Sequence, residues 1–373
     1  MTPVLLQDQN LDQEISCAWT ANLTGEEITE NVLYTDFDQW MYLLVIPSIC
    51  LAGLVTNVIF LIVVYRIPSM RNTTNFYLGN LACADIMFLV ISSAEYITGY
   101  LLSPIRNDYI GREVIGCVLP KVAVVMWFYA SVLLVSLVTF ERYFAICWPF
   151  KHKYVSSKKR TVLLTALMWT LALIFSSICI PGFSLYQEIC LIWPEGYEEL
   201  PQQMGVCTGK HSWTGLIFPS TFMLLICLSF GANNVMYIAI VRKLHKRTKI
   251  LKSQGDHDRA IETRNNVTRM LVINSTVFFI CQMPLQVSNL YNLISGLNDD
   301  KTGDVIDRLW DSRKTSGFGL MCLIHINCVI HPVIFGLVNP VYRKAFVEAL
   351  CGKRNSDETL ILDQFEDNAG SKI

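Results

Sequence analysis

CVLPKVAVVMWFYASVLLVSLVTFERYFAICWPF, residues Cys117–Phe150, decides how this chain folds. Between the cysteine and Phe140 its one charge is Lys121; charge then returns at Glu141-Arg142, with Lys151 and Lys153 beyond. A helix of about 20 residues covers the ~30 Å hydrocarbon core of a bilayer, so a run this long and apolar is a membrane span. Its two ends carry different chemistry: a thiol able to cross-link on one side, an acid–arginine pair on the other.

The surrounding sequence agrees. The 373 residues are 52% hydrophobic and only 16% charged, with a mean hydropathy of +0.39, whereas soluble domains carry about 25% charged residues. Seven apolar segments are long enough to span: Met41–Tyr65, Phe76–Leu102, Val118–Cys147, Val162–Ile180, Trp213–Val241, Val267–Ile294 and Phe318–Leu337. The first forty residues have no basic n-region and no continuous apolar run, so the first span is expected to act as the insertion signal.

Basic residues follow the first, third and fifth segments: Arg66 and Arg71; Lys151, Lys153, Lys158, Lys159 and Arg160; Arg242 through Lys252. Residues 1–39 hold eight acids and no Lys or Arg. The positive-inside rule then puts the N-terminus outside and the C-terminus inside, as an odd number of spans requires. The expected fold is an all-α membrane protein, a seven-transmembrane helix bundle over 41–338. A tail over 1–40 precedes it; a short amphipathic eighth helix over 339–351 and a cytoplasmic tail over 352–373 follow.

Polar residues inside spans are costly and therefore informative. Asn57 lies in GLVTNVIF, Asp85 in NFYLGNLACADIMFLV, and Glu95 ten residues further out. Trp169 stands in the fourth span and Tyr237 precedes Ile240 and Leu244 in the fifth. The sixth reads FFICQMPLQ, and the seventh ends in His331-Pro332-Val333-Ile334-Phe335, followed by Asn339-Pro340-Val341-Tyr342-Arg343-Lys344-Ala345-Phe346. In this order and spacing, with Cys117 and Glu141-Arg142-Tyr143, the set resembles the rhodopsin-like G-protein-coupled receptors.

That resemblance implies roles. Cys117 matches the disulfide anchor of the third helix, and Glu141-Arg142-Tyr143 a variant of the family's Asp-Arg-Tyr box. Glu141, Arg142, Tyr143, Tyr237, Gln282, Pro284, Pro332 and Phe335 fall on coupling and activation positions. Asp85, Ser131 and Asn327, with His331 beside them, match a site for an allosteric sodium ion, which suits oxygen ligands; no other cofactor is expected. Glu95, Val124, Phe128, Gln286, Asn289 and His325 are candidates for the ligand pocket. Val124 replaces the acid of amine receptors, which disfavours a biogenic amine.

Several positions depart from the family. Ser229 replaces the usual proline of the fifth helix, so a kink is expected at Pro219 instead. Gln282 replaces a tryptophan, while His331 and Phe335 replace the asparagine and tyrosine of the seventh helix. Arg264 stands where some relatives carry the acid that locks Arg142, so Glu141 is expected to hold Arg142 at rest. Pro284 is the expected hinge. His331 either forms a pH-sensitive pair with Asp85 or stands in, neutral, for the lost amide.

Cys17, Cys117, Cys190 and Cys207 lie outside or at outer helix ends, an even count that suggests two bridges. The resemblance pairs Cys117 with the second outer loop; Cys207 is preferred, with Cys17–Cys190 the other bridge, and the swapped pairing stays open. Asn22-Leu23-Thr24 is the one outer glycosylation sequon; Asn72 and Asn266 match the pattern on the inner side. Cys351 is a palmitoylation candidate beside the Arg343-Lys344 headgroup contacts, and Ser371-Lys372-Ile373 fits a PDZ groove.

The acidic N-terminus, the long hairpin-like second outer loop and RNNVTRML resemble neuropeptide receptors of the thyrotropin-releasing-hormone, neuromedin U and ghrelin kind. A plasma-membrane receptor for a cationic peptide, acting on a heterotrimeric G protein with Gq favoured, is the expected function. A receptor for a lipid or small organic ligand, a receptor that no longer signals, and a secondary transporter are the alternatives. A transporter predicts inverted repeats, which the sequence lacks. With no GxxxxGK, HExxH or CxxC, neither an enzyme nor a nucleic-acid partner is expected.

Overall fold

The computed structural model describes residues 17–24, 32–211, 214, 217–254, 259–298 and 316–351. The PDZ candidate at Ile373, the tail over 352–373, the start of the fifth segment at Trp213 and most of the acidic tail over 1–16 lie outside them. Seven helices long and apolar enough to cross a membrane are present among the described residues. We label them α1 (Asp36–Arg66), α2 (Thr73–Leu102), α3 (Glu113–Cys147), α4 (Lys158–Ile178), α5 (Ile217–Gln254), α6 (Arg259–Asn298) and α7 (Ser316–Val338). A short eighth helix, α8 (Pro340–Cys351), follows.

Helix α3 is the axle. Its 35 residues would run roughly 52 Å at 1.5 Å per residue, more than a bilayer core, so it tilts or protrudes. It packs against α2, α4 and α5, while α1 lies between α2 and α7, and α6 between α5 and α7. Tyr129, Leu134, Phe60, Leu89, Phe278 and Phe335 are among the side chains of the shared core. The outward faces are apolar too: Leu51, Val55 and Val58 on α1, Leu163 and Leu167 on α4, and Leu224, Leu228 and Val235 on α5 are exposed. Exposed apolar surface on this scale belongs against lipid rather than water.

Local chemistry sets the helix ends. Helix α1 starts five residues before the apolar run because Thr35 and Asp38 form a capping box, each side chain bonding the other's backbone N–H. Asn72, a sequon asparagine, caps α2 by accepting from the Asn75 N–H at 3.0 Å. Pro219 does not kink α5: it falls in the first turn, where its missing N–H costs nothing. Asn339 opens α8 by accepting from the Val341 N–H at 3.0 Å. Tyr342, Ala345 and Ala349 of α8 are buried against the bundle, whereas Val347 and Leu350 are exposed. The apolar residues of this helix are thus divided between protein and surroundings.

One small β element stands beside the helices. A three-stranded sheet caps one end of the bundle: β2 (Leu185–Ile192) and β3 (Gln203–Thr208) form an antiparallel hairpin, and β1 (Thr20–Asn22) adds in parallel to β2. Cys17 is bonded to Cys190 and Cys117 to Cys207, so one bridge ties β1's approach to β2 and the other ties the hairpin to α3. Ala21, Leu23, Val32, Ile105, Ile189 and Met204 build a separate small core there. Asp108 braces it by accepting from the Gly205 N–H at 2.9 Å and the Ile110 N–H at 2.8 Å. A Cβ at Gly205 would lie 2.5 Å from the Ile110 backbone nitrogen, so only glycine fits that crossing.

Candidate functional site

Three layers of polar residues run down the bundle from the disulfide end to the Arg142 end. In the upper layer Glu95 meets Arg112, 3.5 Å away, so this acid has a partner within the chain. Lys121 donates to the Tyr109 hydroxyl at 2.8 Å and lies over the Tyr109 and Phe183 rings. Phe128 stacks on Phe222 with centroids 4.8 Å apart, and Val124 is half-buried one turn above it. His325 is buried, with Nε2 2.9 Å from the Ser92 hydroxyl and Nδ1 2.8 Å from the Met321 carbonyl. It therefore ties α7 to α2 and does not present a free nitrogen. Gln282 and Gln286 are buried, and neither carboxamide has a partner among the described residues; the Asn289 Nδ2 lacks one as well.

In the middle layer the Ser131 hydroxyl donates to Asp85 Oδ1 at 2.5 Å. His331 Nε2 is 3.9 Å from Asp85 Oδ2, beyond hydrogen-bond reach, while its Nδ1 is 2.8 Å from Asn274 Oδ1. The imidazole is thus held by α6 rather than by the acid. Among the described residues, the buried Asp85 Oδ2 and Asn327 Oδ1 have no hydrogen-bond partner. Together with the Ser131 hydroxyl they form a donor set that suits a hard cation such as sodium. Asn57 bridges α1 to α7, donating to the Gly53 carbonyl at 2.9 Å and the Cys328 carbonyl at 3.0 Å. Trp169 donates to Asn80 at 3.1 Å, fastening α4 to α2.

The lower layer overturns one expectation. Glu141 does not hold Arg142: its carboxylate faces His152 at 2.7 Å and Arg160 at 3.1 Å, while Arg142 donates to the Thr74 hydroxyl on α2. Neighbouring residues of a helix do not face each other, so Glu141 turns toward α4 and Arg142 toward α2. His152 belongs to a short helix, Pro149–Val155, between α3 and α4. Tyr143 is half-buried with its hydroxyl 3.5 Å from the Trp148 indole nitrogen. Tyr237 bonds Thr139 at 2.7 Å and also Ser275, which joins α5 to α3 and α6.

Phe335 packs on Phe60, centroids 5.3 Å apart, and on Tyr342, whose hydroxyl donates to Asn75. Burial pushes the Tyr342 phenol up to about 12, against an opposing pull from the nearby Arg142 cation. Pro284 and Pro332 lie inside α6 and α7. The side chain of Arg264 lies outside the described residues. Thr74, Asn75, Asn274 and Ser275 were not singled out from sequence, although the polar run Asn72-Thr73-Thr74-Asn75 at a span's start was a visible signal.

The model of the 7 transmembrane receptor (rhodopsin family) matches residues 56–335, three quarters of the chain and all of the bundle but the first part of α1 and the last three residues of α7. The chain belongs to the rhodopsin family of seven-transmembrane receptors. Like its relatives it is a multi-pass membrane receptor rather than an enzyme. It is 24% identical to Neuromedin-U receptor 2 of Rattus norvegicus over 310 residues, covering 80% of this chain and 72% of that one. It is 24% identical to the Thyrotropin-releasing hormone receptor of Gallus gallus over 356 residues, 87% of this chain and 82% of the relative. A Neuromedin U receptor homolog of Caenorhabditis elegans is 25% identical over 369 residues, 89% and 86% of the two chains.

Proposed function

We propose that this rhodopsin-family receptor binds an extracellular neuropeptide at its disulfide end and relays that binding to a heterotrimeric G protein, Gq in preference, at its Arg142 end. The supporting observation is that the receptors it resembles along four-fifths of its length are named for peptide ligands. The charge distribution agrees: no Lys or Arg before Trp40, and basic residues after the first, third and fifth spans. On this reading the disulfides lie outside, where they are stable, and Arg142 faces the cytosol.

The mechanism is a two-state shift. A peptide with higher affinity for the active arrangement draws α6 outward about Pro284 and opens a cleft beside Arg142 and Tyr237. Arg142 then leaves Thr74, and its planar fork of donors meets backbone carbonyls of the G protein. Asp85, Ser131 and Asn327 would hold a sodium ion that stabilises the resting arrangement. Asn22 is exposed and available for glycosylation, and Cys351 is exposed at the end of α8 for palmitoylation.

Calcium release in cells expressing the chain, measured across a panel of neuropeptides with Arg142→Ala alongside, tests this. A response that vanishes in Arg142→Ala at equal surface expression is expected. Silence across the panel, at full surface expression, would remove the peptide–Gq assignment.

A further inference from the structure

Among the described residues the Arg142 guanidinium makes one hydrogen bond, to the Thr74 hydroxyl, and its buried Nε has no partner. Where that hydroxyl stands therefore decides how well the arginine is held. Thr74 is the second residue of α2. It lies in the opening turn of a helix, whose N–H groups find no carbonyls within the helix and which frays unless held from outside. Asn75 supplies the hold. Its N–H donates to Asn72 Oδ1 at 3.0 Å, its Nδ2 donates to the Met70 carbonyl at 2.7 Å, and its Oδ1 accepts from the Tyr342 hydroxyl of α8. Asn75 is 1% exposed and Tyr342 4%, so water does not stand ready to replace the bond between them. Tyr342 is itself fixed. Its ring stacks on Phe60 of α1, centroids 6.4 Å apart with 12° between the planes, and meets Phe335 of α7 at 5.9 Å. Towards the far end of α8, Arg66 of α1 donates to the Ala349 carbonyl at 3.1 Å. Phe335 has no hydroxyl, so the phenol among these three rings is supplied by α8 and not by α7.

We propose that Tyr342 is a positioning residue for Arg142: its hydroxyl fixes the opening turn of α2 so that Thr74 meets the guanidinium, and the docking of α8 thereby sets how firmly the receptor rests. This builds on the reading of Arg142 as the coupling residue and adds an element that does not itself bond the arginine. The two side chains are electrostatic neighbours, since the Arg142 cation opposes the rise of the Tyr342 phenol. A helix of 12 residues is marginal in water on its own, so α8 depends on what it docks against. Release of Arg142 and loosening of α8 then share one free energy. Whatever frees α8 weakens the grip on Arg142, and by linkage a partner that draws Arg142 away loosens α8. The neighbouring polar contacts offer no such path: Tyr237 reaches Thr139 and Ser275, and Glu141 reaches His152 and Arg160.

Two measurements on the full receptor test this with Tyr342→Phe, which removes the hydroxyl and keeps the ring between Phe60 and Phe335. The first is hydrogen exchange of the Asn75 and Phe76 amides in the purified receptor, and it involves no G protein. Exchange should quicken severalfold in Tyr342→Phe while the middle of α3 keeps the parent's rate; unchanged Asn75 and Phe76 amides would overturn the proposal. The second is ligand-independent nucleotide exchange on purified Gq, with Gi and Gs in parallel, in membranes matched for receptor number. It compares Tyr342→Phe, Thr74→Val and the double variant. Loss of a neutral hydrogen bond that holds the resting state should raise basal exchange about two- to tenfold. In the Thr74→Val background Tyr342→Phe should add nothing, because the contact it positions is already gone. A parent-like rate in Tyr342→Phe, or an equal rise in both backgrounds, would mean that the phenol does not act through Thr74 and would overturn the proposal. No exchange above the receptor-free rate in any variant counts against the coupling reading instead, and the amide measurement alone then decides whether Tyr342 positions the turn.

Discussion

Glu141 reaches away from its sequence neighbour, its carboxylate 2.7 Å from the imidazole of His152, eleven residues along the chain. The acid thereby fastens the Pro149–Val155 helix, and through Arg160 the start of α4, to α3. Arg142 is left to α2, where Thr74 accepts its hydrogen bond and Tyr342 of α8 bonds the adjacent Asn75. Arg142 is thus held by a neutral hydroxyl rather than by an acid.

Thr74→Val should for that reason raise ligand-independent signalling. A hydrogen bond to a charged group contributes about 1.5–3 kcal/mol, and a contact made only at rest biases the equilibrium by that amount. Losing it should raise the active population by about tenfold or more. Nucleotide exchange on G protein in membranes matched for receptor number is the measurement, and basal exchange equal to the parent's would contradict the assignment.

Glu141→Gln keeps the shape of the side chain and removes its charge. The ion pair with Arg160 goes, as does the attraction to a protonated His152, so the Pro149–Val155 helix should loosen. Hydrogen exchange of its backbone amides should quicken severalfold while exchange within α3 stays as it was. Equal protection in both proteins would show that Phe144, which lies edge-on to the His152 ring, suffices to hold it.

The bundle was legible in the sequence because each span is a local pattern: an apolar run of fixed length with one or two costly polar residues at intervals of helical turns. Asp85, Ser131 and Arg142 could be placed that way. What the local pattern hides is pairing across the chain. That Glu141 would choose Arg160 on the next helix depends on how α3 rotates against α4, which no run of α3 residues encodes. The β2–β3 hairpin was legible in the second outer loop, but the addition of β1 was hidden for the same reason: it joins β2 across 170 residues, from Thr20 to Cys190, and its three residues are too few for their alternation to stand out. Pro219 misled because a proline bends a helix only in its interior, and the start of α5 could not be told from composition alone.

At Gly205 the sheet crosses the loop between α2 and α3, and a Cβ there would meet the Ile110 nitrogen at 2.5 Å and the Tyr109 carbonyl carbon at 2.6 Å. Both obstacles are backbone, so Gly205→Ala must separate the loop from β3 and give up the Asp108 brace and the Tyr109 N–H bond to the Gly205 carbonyl, 2.9 Å long. Each lost bond costs about 0.5–1.5 kcal/mol. A markedly smaller surface-expressed fraction and a lower Tm are expected; parent-like values would mean the loop gives way freely.

Tyr342 makes a prediction about alkaline pH. Its phenol is raised from 10.0 to about 12, chiefly by burial, so the folded state favours the neutral form. Stability from this group is complete below the unfolded value near 10 and is lost as pH climbs through the folded value near 12. Signalling between pH 6 and 9 should consequently owe nothing to its titration. Thermal unfolding followed across pH 9.5 to 12 should fall more steeply in the parent than in Tyr342→Phe, which lacks the ionising hydroxyl. Parallel curves for the two proteins would mean that water reaches the phenol.

The two disulfides should differ in what they protect. Cys117–Cys207 joins the hairpin to α3, the helix on which the bundle packs, whereas Cys17–Cys190 joins only the approach to β1 to the sheet. Loss of a bridge removes about 2–4 kcal/mol in general, but the part of the molecule that feels it depends on what stays attached. In Cys17→Ser the strand β1 retains a backbone pairing of three residues with β2 and the burial of Ala21 and Leu23, a contact too short to persist alone. Limited proteolysis should then cut near residues 17–24 while the helices remain intact and Arg142-dependent signalling survives. In Cys117→Ser the hairpin itself comes free over the mouth of the bundle, and peptide responses should fall along with Tm. If Cys17→Ser lost signalling as completely as Cys117→Ser, β1 would have to be part of the ligand site rather than its covering.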